Sequence, residues 1–207
     1  MPDKNELAES FQNDYWSFYL SLEKQLIATF DYVEPSQDHF KTYSRKYLGL
    51  LQALGSEVDV CGKSLAELLN PNEKDLDNCN IAKWGFFIQS DYPLISLNTV
   101  LAPNLGLSLT PWKNWKNESY RDKKNVLRYR LTKDSENPAW WVSYNKTKHR
   151  RKSLLNPDDS CYNRANLGNV LNAAAGLFLL ELALANAAEL PKPESSQLFK
   201  VDKLILS

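Results

Sequence analysis

Glycine is scarce in this chain, with seven in 207 residues, and none falls into a phosphate-cradling pattern. There is no G-x-G-x-x-G, no Walker loop and no G-x-S-x-G, so dinucleotide, nucleotide-hydrolysis and serine-hydrolase chemistry find no footing. Cysteine is equally sparse. Cys61, Cys79 and Cys161 are odd in number, far apart and without C-x-x-C spacing, which argues against a disulfide framework and a structural zinc site. With only two histidines and no H-E-x-x-H, no metal and no cofactor is expected. Charge of one sign is missing too: 25 Lys and Arg balance 25 Asp and Glu, so no global field drives nucleic-acid binding, and any such contact must come from a local patch. The N-terminus, MPDKNELAES, lacks the apolar segment of a secretory signal. The most apolar stretch, Ala173 to Ala188, is interrupted by Glu181 and Asn186 and is short for a membrane span. A soluble, cytoplasmic protein with no membrane partner is the expectation.

What is present is hydrophobic periodicity. At 43% hydrophobic residues the chain can bury the core of one domain, or of one domain with a short appendage. Phe11, Tyr15, Phe18, Tyr19, Leu22, Leu26, Phe30 and Val33 recur at spacings of three and four, predicting a helix over 6–33 that Pro35 ends. A second stripe from Phe40 through Leu68 predicts a helix over 36–69, antiparallel to the first. A shorter helix is expected over 80–90. Residues 91–138, broken by Pro93, Pro103 and Pro111, read as a loop-rich insertion, in which VLRYRL fits a short strand or a helix equally well. Further helices are expected over 139–154 and 163–190. Residues 191–207 read as a linker and a C-terminal tail that docks as a strand or frays.

The segment WWVSYNKTKHRR, Trp140 to Arg151, concentrates the chemistry. On a helix, Asn145 and His149 share a face while Trp140, Tyr144 and Thr147 turn toward a core. Metal-free RNA cleavage needs a base for the 2′-hydroxyl, an acid for the leaving oxygen and a cation near the developing phosphorane charge, and this segment holds groups for all three. The plain alternative is a surface i,i+4 pair on a solvated basic face. Glu57 lies at the edge of its apolar stripe and wants a partner, which Lys148, Arg150 or Arg151 would supply as a structural salt bridge. Asp59 and Lys63, four apart, read as a surface ion pair. Asn166, Asn169 and Asn172 turn sixty degrees at each step and so suit helix-end hydrogen bonding or packing against the basic helix better than one ligand stripe. Trp112, Trp115, Trp140 and Trp141 fit base stacking, though anchoring the core and loops is the stronger expectation. His39 reads as a surface residue near a helix start.

The succession SRKYLGLLQALGSEVDVCGK, PWKNW, WWVSYNKTKHRR and ANLGNVLNAAAGLFLLEL resembles bacterial proteins of the HEPN superfamily over most of residues 10–190. The resemblance implies an all-α, HEPN-like helical bundle with residues 1–190 as a single domain, a tendency to homodimerise, and metal-independent ribonuclease activity of a defence or toxin system. The family signature places an Arg four to six residues before a His, with a polar residue beside the Arg. No Arg precedes His149 in this segment, so Asn145 matches only the polar position. The resemblance thus implies His149 as acid or base, Asn145 as its orienter and Lys148 as a catalytic cation, with Lys146, Arg150 and Arg151 contacting RNA and Glu57 in support. A non-catalytic helical dimer that binds a partner protein or nucleic acid through the same basic face is the alternative.

Overall fold

The computed structural model describes residues 3–149 and 160–207. The first helical run is α1 (Lys4–Ser10), a π-helical turn (Phe11–Trp16) and α2 (Ser17–Ile27). Residues five apart stand 140° apart on a regular α-helix. The wider π turn brings Phe11 and Trp16, both buried, back toward one side. Tyr19, Leu22 and Leu26 continue that side along α2. The run ends six residues before the predicted stop, and tight turns carry the chain to Val33.

Helix α3 (Arg45–Leu69) starts nine residues later than its stripe predicts. Residues 40–43 are taken by long-range pairing instead: the carbonyls of Phe40 and Thr42 accept from the N–H groups of Gly168 and Leu167. Ser44 then caps the helix, its hydroxyl accepting from Tyr47 N–H at 3.1 Å. Helix α4 (Ile81–Asp91) is capped in the same way by Asn80, which accepts from Ala82 and Lys83.

The expectation of an all-α fold is overturned. The chain is about 53% helical and carries two antiparallel two-stranded sheets, which makes it a mixed α/β protein. Strands β1 (Val100–Ala102) and β2 (Leu107–Leu109) pair with Val100 opposite Leu109, joined through Gly106 in the left-handed region. Strands β3 (Asn117–Arg121) and β4 (Leu127–Leu131) pair with Asn117 opposite Leu131. Asp122 closes the second hairpin by accepting from the Lys124 and Val126 N–H groups. Arg130 reaches across it to Glu118 at 2.9 Å. These strands have three or five residues, too few for alternation to be told from irregular loop. Within the supposed loop-rich insertion, order comes from cross-strand partners.

Helix α5 (Ala139–His149) and helix α6 (Leu167–Ala187) complete the body, and α6 is its centre. Nearly every α6 residue from Leu167 to Ala185 is buried, with α3 as its most extensive neighbour. At 21 residues α6 is, by length and composition, long and apolar enough to cross a membrane, which the Ala173–Ala188 stretch did not suggest; its most apolar window is 83% buried within the fold, as in a core helix. The PWKNW loop is tied to α6 because Trp112 donates to the Gly176 carbonyl at 3.2 Å, while Trp140 donates to that of Pro111 at 2.8 Å. Trp84, Trp112, Trp115, Trp140 and Trp141 form one buried cluster of mostly edge-to-face contacts. Glycine is required at two points of this packing, since a methyl group at Gly55 would overlap the Tyr144 ring and one at Gly85 would overlap Trp115.

The C-terminal tail docks. Lys200 and Leu101 exchange backbone hydrogen bonds at 2.9 Å, and Asn98 holds Ile205 through both its amide atoms. The Glu23 carboxylate receives the N–H groups of Gln197 and Leu198. Leu198, Phe199 and Leu206 join the same core as the helices.

Candidate nucleic-acid interface

Helix α5 separates its side chains by burial. Trp140, Trp141, Ser143, Tyr144 and Thr147 are buried, Asn145 is half-buried, and Lys146, Lys148 and His149 are exposed. The inner side is held by the tryptophan cluster, by Tyr144 lying on Gly55 of α3, and by Gln52 donating to the Thr147 carbonyl at 3.2 Å. Thr147 also returns its hydroxyl to the Ser143 and Tyr144 carbonyls. The basic outer side therefore stands on a rigid base.

A polar cleft of about 550 Å³ opens beside it, lined chiefly by Asn137, Ser143, Asn163, Arg164, Asn166 and Asn169. Asn166 caps α6, its side-chain oxygen accepting from Asn169 N–H at 3.0 Å. Asn169 in turn donates to Ser143 Oγ on α5 at 3.1 Å and to the Arg164 carbonyl at 2.8 Å. Asn172 donates back to the Gly168 carbonyl. The asparagine series thus serves the helix end and the α5 contact, and two of its members also form the cleft wall. Val142 and Ser143 line the cleft, and Lys146 lies four and three residues further along that side of α5. The recess is thus lined by amides, a hydroxyl, Arg164 and the acidic Glu136, and Lys146 stands about one helical turn beyond its α5 wall.

The sequence-derived residues do not all converge. The Asn145 amide nitrogen donates to the Trp141 carbonyl of its own helix at 3.2 Å. The Lys148 ammonium donates to the Tyr144 hydroxyl at 3.2 Å and lies 5.3 Å from that ring's centroid. Three residues separate Lys148 and Asn145, yet both are engaged within α5, and only Lys146 and His149 accompany Lys148 among its exposed basic groups. Arg150 and Arg151 lie outside the described residues. Glu57 is half-buried, and burial raises its carboxyl above the ordinary value. Among the described residues no cation pairs with it, and its electrostatic neighbour is Glu181 of α6. Of the three partners expected for Glu57, Lys148 bonds Tyr144 instead, and Arg150 and Arg151 lie outside the described residues.

Asp59 and Lys63 do pair, at 2.7 Å, and Asp59 also receives Trp84 Nε1 at 3.1 Å, so this ion pair braces the tryptophan cluster. Trp112, Trp115, Trp140 and Trp141 are each at most 6% exposed and offer no face to a base. His39 is exposed in a 3₁₀ turn, its Nδ1 3.1 Å from the Glu34 carbonyl oxygen. Among the described residues no group of three or more His, Cys, Asp and Glu is placed to hold a metal ion.

Two features escaped the sequence reading. Arg164 and Asn137 reach the cleft from segments far apart in the chain, and no spacing rule joins them. Glu181 was legible only as an interruption of an apolar stretch; in the fold it is wholly buried, and neither carboxyl oxygen has a hydrogen-bond partner.

No protein-family model matches the chain, and neither does any curated protein or solved structure.

Proposed function

We propose that the protein binds single-stranded RNA along the exposed side of α5 and the adjoining polar cleft, as a HEPN-like helical module that works as a homodimer. The observation that supports this reading is a recess lined by Asn137, Asn163, Asn166, Asn169 and Arg164, with the exposed Lys146 about one helical turn along α5 from its Val142 and Ser143 wall. Cations track a phosphate backbone, while amides that both donate and accept suit the edges of unstacked bases. At about 550 Å³ the recess has the size of a small-ligand pocket, room for one nucleotide unit. Because the chain has no net charge, affinity rests on this patch and falls steeply with salt. Gel-shift titration with single-stranded and duplex RNA at two salt concentrations tests it. Retention of neither RNA, or retention that does not change with salt, would sink the proposal.

The exposed imidazole of His149 at the end of the described α5 favours a second reading, metal-independent endoribonuclease activity. His149 then serves as acid or base, with Asn145 orienting it and Lys148, Arg150 or Arg151 supplying the cation. Asn145 and Lys148 must first exchange their present partners within α5 for substrate, or a second copy must complete the site. Incubating labelled RNA with the protein in excess chelator separates the readings: cleavage that His149→Ala abolishes supports the enzyme, and intact RNA leaves a binding module.

A further inference from the structure

Glu181 poses a separate problem, independent of the RNA reading. Its side chain is fully enclosed in the C-terminal third of α6, with both carboxyl oxygens lacking a hydrogen-bond partner. A buried charge without a partner is among the costliest groups a core can hold. The groups around it add no compensation. From α3 come Glu57 and Cys61, and from the N-terminal run come Tyr15 and Tyr19. All four are acids, and among the described residues no cation opposes them.

The cover over this site is thin. α1 has no buried residue, and the π turn that follows buries only Phe11 and Trp16. Tyr15, on that turn, meets Ser64 of α3 through one hydrogen bond at 2.8 Å. Near the chain's start, Lys4 reaches Glu189 at 3.4 Å, with both side chains mostly exposed. Between this segment and α3 and α6 lies a pocket of about 170 Å³, lined by Leu7, Phe11, Tyr15, Ser64, Leu68 and Leu184 among others. The same seam between the π turn, α3 and α6 therefore holds a packing gap and an unpartnered acid, and segments with few buried contacts open first. A π turn is also the widened form of helix that tends to occur at functional positions.

We propose that Glu181 is a proton latch: as a neutral acid it lets residues 4–16 stay docked on α3 and α6, and loss of its proton releases that segment so that water reaches the carboxylate. Burial first, and the neighbouring Glu57 second, push the Glu181 carboxyl up to about 8. Once the segment lifts, the hydrated carboxyl returns toward the ordinary value of 4.5. Between these values opening releases one proton, so the open fraction grows about tenfold per pH unit and levels off above the upper value.

Amide hydrogen exchange from pH 6 to 9.5, corrected for the intrinsic pH dependence of exchange, reads this directly. Protection of residues 8–16 should fall about tenfold per pH unit up to about pH 8, then level, while Leu177 to Leu180 within α6 stay protected. Glu181→Gln should flatten the dependence, and Glu57→Gln should move the levelling point to lower pH. A flat wild-type profile, an unchanged slope in Glu181→Gln, or equal loss of protection throughout α6 would each overturn the latch. Carboxyl-carbon NMR of the wild-type chain needs no substitution: titration of Glu181 in the ordinary glutamate range would overturn it as well.

Discussion

Helices α5 and α6 pack against each other and handle polar residues in opposite ways. On α5 one side carries the tryptophans and the other meets solvent, so Lys146, Lys148 and His149 keep their hydration and cost the fold little. On α6 almost no side is free, and its one carboxylate, in the last third of the helix, is fully enclosed with no protein partner. The same polar chemistry is cheap on the first helix and expensive on the second. An exposed basic group therefore says little by itself about function, whereas a buried orphaned acid demands a physical reason.

The largest way to break the contrast is to remove what makes α5 two-sided. Trp140→Ala deletes a side chain 2% exposed in the tryptophan cluster, together with its bond to Pro111, and should cost about 3–5 kcal/mol by urea unfolding. A loss below about 1 kcal/mol would show that the cluster is not the base of the helix.

Next is the acid on α6. A carboxyl held at about 8 in the fold against 4.5 when solvated means that the folded state binds the extra proton. Stability is then greatest below about 4.5 and declines as pH rises to about 8, at a limiting slope of roughly 1.4 kcal/mol per pH unit for one group. Glu181→Leu should remove this component and make the protein more stable than wild type at pH 8.5. Parallel stability curves for the two proteins would contradict it.

The seam between the helices gives a smaller effect. Asn169→Ala removes the donor to Ser143 and to the Arg164 carbonyl and should cost about 1 kcal/mol in thermal or chemical unfolding. RNA affinity should fall with it, because the cleft wall loses its brace.

Smallest for the fold are the outer groups of α5. Lys146→Ala should leave the unfolding midpoint unchanged and reduce the salt dependence of RNA binding by about one phosphate contact. His149→Ala should likewise leave stability and binding intact, and only a chelator-resistant cleavage assay should notice it. Salt-independent binding by the wild type would remove the basis of both.

Long amphipathic stripes were legible because they need no distant partner to define their face. The core side of α3, from Tyr47 to Leu65, and the inner side of α5, with Trp140, Tyr144 and Thr147, follow the spacing of three and four. Helix starts were less legible. The stripe carries Phe40 and Tyr43 as helical, yet pairing with Gly168 and Asn166 holds residues 40–43 outside α3. The basic residues were visible as a cluster, but not that Lys148 turns to Tyr144, because an i,i+4 rule gives only proximity along one helix.

The sequence by itself determined that this chain is rich in helix, that its tryptophans belong inside and that its cations concentrate near residue 148, because periodicity and composition are local properties. Tertiary structure alone decided the two small sheets, the docking of the tail on Leu101 and Glu23, the gathering of Asn137, Arg164 and Asn169 around one cleft, and the enclosure of Glu181 beside Glu57. The hairpins are local, but strands of three and five residues are too short for their pattern to stand out; the tail, the cleft and the acid depend on groups from distant parts of the chain, and neither the spacing of one segment nor its hydropathy records which distant segment will cover it.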